Sequence, residues 1–169
     1  MFGFVMIIIA IGSNLPHPEF GTPMDVCNAA IKALEDIGCR VLNRSRWFRS
    51  APVPVSDQPD FVNGVISVRT TLKPAELLVT LHGIEGRFDR LRSVPNAART
   101  LDLDLIAYDD LINEGPGDPL LPHPRMAGRA FVLYPLRDIE PDWRHPALGI
   151  PLAKLIEGLP DDQTCHPID

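Results

Sequence analysis

Asp102 and Asp104 are the residues most suited to chemistry in this chain, set in Arg99-Thr-Leu-Asp-Leu-Asp-Leu-Ile-Ala-Tyr108. Side chains alternate along a strand, so Leu101, Leu103 and Leu105 share one face and the two aspartates share the other. The leucines can anchor in a core. The carboxylates then stand roughly 7 Å apart, a spacing that lets hard cations sit between them and a phosphate chain. Asp is poor in strands, and a strand that merely faced water would more often carry Thr, Lys or Ser. An edge strand kept soluble by its acids is the other reading, and the surroundings must decide.

Those surroundings are basic. Arg90, Arg92 and Arg99 fall within ten residues, and Arg99 lies just before the aspartates. Carboxylates hold Mg²⁺, Mg²⁺ bridges phosphate oxygens, and guanidinium forks neutralise the remaining charge. Phosphoryl transfer needs this arrangement, because its catalysis is mostly positioning and charge stabilisation. A solvated basic loop paired to an acidic strand would look the same. A second polar group is Pro122-His123-Pro124-Arg125 with Arg129, which alone reads equally as a rigid surface loop. Phe61 with Asn63 offers a stacking ring beside an amide that can read a heterocycle's edge, although a core ring and a strand amide fit as well. Phe131 alone reads as core.

Other chemistries are disfavoured. The chain has no Gly-x-x-x-x-Gly-Lys-Ser/Thr and no Gly-x-Gly-x-x-Gly after a strand, so neither a P-loop nor a dinucleotide fold is expected. It also lacks Gly-x-Ser-x-Gly, His-Glu-x-x-His and any Cys-x-x-Cys. The three cysteines, Cys27, Cys39 and Cys165, are odd in number and widely spaced, and Cys27 and Cys39 read as small core residues. A net charge of −6 and a pI near 5.3 argue against a general nucleic-acid binder. Thirteen of the 16 basic residues are nonetheless Arg, which suits bidentate recognition of phosphate or carboxylate, or reflects genomic composition. The apolar run 4–11 is too short to span a bilayer and lacks a basic leader, so a cytoplasmic protein with no membrane contact is expected.

The elements that must position these residues follow from periodicity. At 169 residues, one domain is expected, with a core over about 4–158 and a polar C-terminal tail. Residues 4–11 read as a strand covered on both faces, ending at Gly12-Ser13-Asn14. Thr22-Pro23 opens a helix closed by Gly38. Residues 40–49 read as one strand, followed by a proline-studded loop from Ser50 to Asp60 of a length common in functional lids. A strand over 61–71 follows, with Val62, Ile66 and Val68 on one face and Phe61 and Asn63 on the other. Pro74 opens a helix to 86 with Leu77, Leu78, Leu81 and Ile84 as its core stripe; Leu78, His82 and Glu85 form a partly polar edge beside it. A second long loop spans 87–98. After the aspartate strand come a helical segment near 126–137 and a short helix from Leu152 to Glu157. Strand–helix–strand–strand–helix–strand predicts an α+β, ferredoxin-like βαββαβ fold with a mainly antiparallel sheet. Helices are expected on one face, leaving the other for long loops and a site.

Six stretches resemble the 6-hydroxymethyl-7,8-dihydropterin pyrophosphokinase family of folate biosynthesis, in the family's order and spacing. They are Ile11-Gly-Ser-Asn14; Phe48-Arg-Ser-Ala-Pro52; Gln58-Pro-Asp-Phe-Val-Asn63; Ile84-Glu85 with Arg90-x-Arg92; Arg99-Thr-Leu-Asp-Leu-Asp-Leu105; and Pro122-His-Pro-Arg125 with Arg129-Ala-Phe-Val-Leu-Tyr-Pro-Leu136. The resemblance implies transfer of pyrophosphate from ATP, the co-substrate, to the pterin's hydroxymethyl group, releasing AMP, by a protein expected to be a monomer. It implies that Asp102 and Asp104 hold two Mg²⁺ ions, and that these two residues with Arg90, Arg92 and Arg99 form the catalytic group. Leu78, His82, Glu85, Arg90, Arg92, His123 and Arg129 would bind ATP. Phe61 and Phe131 would sandwich the pterin, Asn63 would bond its edge, and Ser50, Ala51, Val53 and Asp102 would complete that pocket. A flat, electron-poor ring gains from stacking, while its amide-like edge demands polar partners.

The chain departs from the family's pattern at Asp89, Pro95 and Asn96-Ala97-Ala98, all in the second long loop, and at Pro124, where some members carry an aromatic. Two other classes fit parts of the sequence. An Asp-x-Asp sugar or nucleotidyl transferase also needs metal, but usually a longer chain. A ferredoxin-like binding module that has lost catalysis has no use for paired metal ligands.

Overall fold

A computed structural model describes residues 5–88 and 100–168. Among the described residues, six strands form one sheet, β1 (Ile7–Ser13), β2 (Arg40–Arg44), β3 (Phe48–Ser50), β4 (Phe61–Arg69), β5 (Asp102–Tyr108) and β6 (Cys165–Pro167). Their spatial order is β5-β1-β4-β3-β6, with β2 also paired to β4, and every pairing is antiparallel. The helices are α1 (Pro23–Asp36), α2 (Pro74–Arg87), α3 (Ala130–Ile139) and α4 (Leu152–Glu157), with one 3₁₀ turn at Met126–Gly128. The expected α+β, ferredoxin-like arrangement is present.

α1 begins where its sequence indicates. The Thr22 hydroxyl accepts the Asp25 N–H while the Asp25 carboxylate accepts the Thr22 N–H, a reciprocal cap with Pro23 in the first turn. Gly38, at φ +90°, turns the chain out of the helix. β1 alternates between two cores. Ile7, Ile9 and Ile11 pack with α1 and α2, and with Leu101, Leu103 and Leu105 of the aspartate strand. Ile8 and Ala10 pack with Val65, Ile106, and residues of α3 and α4. This corrects the expectation that the second sheet face is left to loops: its apolar half is covered by α3 and α4, and its polar half holds the aspartates. A bulge in the β1–β5 register lets Leu105 join the first core while Ile106 and Ala107 both join the second.

The strand expected over 40–49 is divided. Ser45 takes over part of the ladder with its hydroxyl, which accepts the Val65 N–H and donates to the Arg46 carbonyl. The Arg46 N–H turns away to Asp138, whose carboxylate also receives the Arg46 guanidinium in a two-bond fork at 3.0 Å. Trp47 then crosses β4 directly over Gly64. The polar tail is also corrected, since Cys165–Pro167 pairs with β3 and Cys165 is buried. Cys27 and Cys39 are core residues, as expected. Of the second long loop expected over 87–98, Arg87 instead ends α2 and its residues from 89 on lie outside the described residues; Phe20 and Phe88 stack at 4.4 Å with His17 beside them. Among the described residues, no helix is long and apolar enough to cross a membrane.

The Trp47 crossing gives a direct test. A Cβ on Gly64 would lie 2.5 Å from the indole ring, so Gly64→Ala is expected to destabilise the protein by roughly 1–3 kcal/mol through overpacking. Equilibrium urea unfolding reads this as a lower midpoint with an unchanged slope; an unshifted midpoint refutes the close approach.

Candidate active site

The edge strand β5 presents Asp102 and Asp104, both half-buried, on the sheet face opposite its leucines. β5 pairs with β1 so that Asp102 lies beside Gly12 and Asp104 beside Ala10. On its other side β1 pairs with β4, placing Gly12 beside Asn63 and Ala10 beside Val65. One row across three strands thus reads Asp102, Gly12, Asn63. A Cβ at Gly12 would stand 3.0 Å from Asn63 Oδ1 and 4.0 Å from the Phe61 ring. Glycine here is a matter of space, because it leaves the floor open between a carboxylate and an amide.

Above this floor lies an open cavity of about 690 Å³, counting its solvent-open mouth. It is lined by Ser50, Ala51, Pro52, Val53, Pro54 and Gln58 from the β3–β4 side, by Phe61 and Asn63 of β4, by Arg129 and Phe131 at the start of α3, and by Asp102 and Asp104. All seven residues that the family resemblance places around the pterin are therefore brought together. The Asn63 amide N–H donates to Ser50 Oγ, which fixes the amide and leaves its oxygen over Gly12. The Arg129 guanidinium lies 5.4 Å from the centre of the Phe131 ring, in cation–π contact. Both ends of the proline-rich loop are held. Asn14 Nδ2 donates to Gln58 Oε1 and to the Pro59 carbonyl, each at 3.1 Å. Asn14 closes the Gly-Ser-Asn turn, and nothing local in the sequence marks this tether 45 residues away.

A second open cavity, of about 630 Å³ counting its solvent-open mouth, is lined by Leu78 and His82 of α2, by Leu103, Asp104 and Leu105, and by Asp118, Pro119, Leu120, His123 and Pro124. Asp104 belongs to both cavities. The Asp118–Leu120 wall comes from a turn-rich stretch that periodicity leaves unmarked. His123 is anchored by its backbone N–H to the Ile106 carbonyl at 2.8 Å. Its Nδ1 accepts the Arg125 N–H at 3.2 Å, so in the neutral ring the proton sits on Nε2. Burial first, and then the Arg129 guanidinium, push the imidazole down to about 4 against the opposing pull of Asp102.

Not every residue expected around the nucleotide lines this second space. Arg129 lines the first cavity. Glu85 is buried, 1% exposed, and its carboxylate accepts the Leu103 N–H at 3.1 Å. Leu103 stands between the two aspartates, so Glu85 braces the outer edge of the strand that carries them. Arg90, Arg92 and Arg99 lie outside the described residues. Among the described residues, no histidine, cysteine or third carboxylate groups with the aspartate pair to make a protein-only metal cage.

Comparison with known proteins bears on this geometry. The model of the family "7,8-dihydro-6-hydroxymethylpterin-pyrophosphokinase (HPPK)" matches residues 8–141. The chain is 40% identical over 151 residues to the 2-amino-4-hydroxy-6-hydroxymethyldihydropteridine pyrophosphokinase of Synechocystis sp., covering 89% of this chain and 74% of that one. It is 38% identical over 155 residues to the protein of the same name from Pseudomonas aeruginosa, covering 91% of each. A crystal structure of the HPPK-DHPS in complex with substrates shares the fold with a TM-score of 0.68 at 13% identity, over 92% of this chain and 43% of that larger one. Matched across both cavities, the chain belongs to the 7,8-dihydro-6-hydroxymethylpterin-pyrophosphokinase family.

Proposed function

We propose that this protein transfers the terminal pyrophosphoryl group of ATP to the hydroxymethyl oxygen of 6-hydroxymethyl-7,8-dihydropterin, giving the pterin diphosphate and AMP. The observation that carries this reading is the pair of cavities that meet at Asp104, one walled by aromatic rings and an amide, the other by Leu78, His82 and His123. The pterin occupies the first, stacked against Phe61 and Phe131 with Asn63 Oδ1 accepting from its N–H edge. ATP occupies the second, with its phosphates directed toward the shared wall. Ser50, Ala51 and Val53 complete the pterin's surroundings.

Asp102 and Asp104 are hard oxygen donors on one strand face and fit Mg²⁺, which typically takes one or two carboxylates and completes its shell with phosphate oxygens and water. They would hold two ions, whose chemistry when bound is neutralisation of the triphosphate's charge. The chain's own residues do the rest. The hydroxymethyl oxygen, oriented by the stacked ring, attacks the β-phosphorus; the bond from that phosphorus to the α–β bridging oxygen breaks, and the electron pair leaves with AMP. The hydroxyl proton passes to water. His123, neutral and carrying its proton on Nε2, acts as a hydrogen-bond donor to phosphate and not as a base. Arg90, Arg92, Arg99 and Arg129 supply guanidinium forks to the remaining phosphate charge. Glu85 is assigned to hold β5 and not to touch nucleotide. The working unit in this proposal is a monomer in the cytoplasm, acting without membrane or nucleic acid.

Incubation with MgATP and the pterin, followed by nucleotide separation, is expected to give pterin-dependent AMP; ADP as the product would mean transfer of a single phosphoryl group and overturn the reading. Asp102→Ala is expected to lower kcat by about 10³-fold or more, ~4 kcal/mol of barrier, with pterin binding still measurable by fluorescence. Near-normal turnover would remove the carboxylate from the reaction. NMR titration of the His123 ring is expected to show a midpoint near 4, so the pH–rate profile has no His123 limb near 6.5. The sign for stability follows from the same shift. Below about pH 6.5 the unfolded chain takes a proton that the folded imidazole refuses, so this contribution to stability declines as pH falls toward 4 and levels off below it. Replacing His123 with Asn should remove that share of the acid-side loss.

A further inference from the structure

The family match ends at residue 141, yet a segment beyond it reaches two walls of the first cavity. Gln163 uses both ends of its side-chain amide. Its Oε1 accepts the Ala130 N–H at 2.9 Å, and its Nε2 donates to the Gly128 carbonyl at 2.7 Å. Ala130 is the first residue of α3, and the preceding Arg129 supplies no side-chain cap. The first N–H groups of a helix have no partner within the helix, and here one is met from 33 residues away. The two bonds straddle Arg129 and end one residue short of Phe131, both of which line the cavity.

The next two residues hold the other wall. The Thr164 carbonyl accepts the Ala51 N–H at 3.2 Å, and Cys165 pairs with Ser50 in the β3–β6 register. Ser50 and Ala51 line the same cavity. Cys165 also packs against Phe48 and Ala130, with Phe131 at the border of that cluster. Three consecutive residues therefore tie the start of α3 to the end of β3, two pieces of wall that no strand pairing joins directly. None of the three lines the second cavity.

We infer that the Gln163–Cys165 segment sets the width of the heterocycle cavity, with Gln163 as a positioning residue that acts through Gly128 and Ala130 on the Phe131 ring. This rests on the reading of that cavity as the pterin site. A strap of this kind has a kinetic signature that a brace for the fold alone lacks. Loss of a fold brace reduces the active fraction and hence kcat, leaving both KM values in place. Loss of a strap across one cavity raises the KM of the substrate in that cavity.

The test is steady-state kinetics of Gln163→Ala and Gln163→Glu against the unaltered protein, varying each substrate at saturating levels of the other, with thermal melts alongside. Gln163→Ala removes both bonds and is expected to raise the pterin KM about 3- to 10-fold, part of their combined strength being felt at the cavity, and to move the ATP KM less than about twofold. Gln163→Glu keeps the acceptor for the Ala130 N–H but sets a carboxylate oxygen against the Gly128 carbonyl in place of the donor, so its pterin KM should also rise, again with the ATP KM little moved. An unchanged pterin KM in either variant, or parallel rises in both KM values, overturns the inference while leaving the proposed function standing. Absence of pterin-dependent AMP from the unaltered protein overturns both.

Discussion

Two aspartates can be held beside each other at the surface of a protein only if something pulls the strand between them firmly into place. In β5 that pull comes from alternation: Leu101, Leu103 and Leu105 are almost fully buried against α1 and α2, and the residues between them are turned to the opposite face. Three buried leucines represent several kcal/mol of apolar burial, far more than the cost of keeping two partly solvated carboxylates near each other. A slip of one residue would send the carboxylates into the core and the leucines to water. The edge position of β5 leaves outward-facing backbone groups without a strand partner, and Glu85 meets one of them by accepting the Leu103 N–H. A buried acid on α2 thereby reinforces the register that places two exposed-face acids.

The same logic explains which parts of the molecule are legible in the chain. Elements whose partners lie close by, or whose pattern is periodic, announce themselves: the Thr22-Pro23 start of α1, the leucine stripe of α2, the alternating aspartate strand, the two-faced run of β1. The break between β2 and β3 does not, because it depends on Asp138 drawing the Arg46 N–H away from the ladder from 92 residues distant. Glu85 reads as an edge residue of an amphipathic helix until the strand beside it is in place. The cover that α3 and α4 give to Ile8 and Val65, and the pairing of Cys165–Pro167 with β3, are likewise products of packing between remote segments. For the site, the alternating strand pointed to Asp102 and Asp104, and the family resemblance to Phe61, Asn63, His123 and Phe131, all found at the two cavities. The tethers that shape those cavities, Asn14 to Gln58 and Gln163 to Ala130, carry no local mark.

The protonation state of His123 follows from the burial of its own ring. His123 sits between Arg129 and Asp102, and its ring stays neutral because burial and the neighbouring guanidinium outweigh the carboxylate. A neutral imidazole with a fixed tautomer is a donor of constant strength through the physiological range, which suits contact with a phosphate.

The absent side chain at Gly12 has a consequence for ligands that compete at the first cavity. Most pockets can evade an inhibitor by growing bulk at a floor position. Here the smallest possible increment, one methyl group, would meet the amide oxygen of Asn63 at 3.0 Å, and the same residue is paired on its other side with Asp102. An inhibitor that reaches down to this glycine rests on a surface the protein cannot raise without disturbing its own means of recognition, so depth of penetration, more than affinity, would decide how durable such a molecule is against resistance.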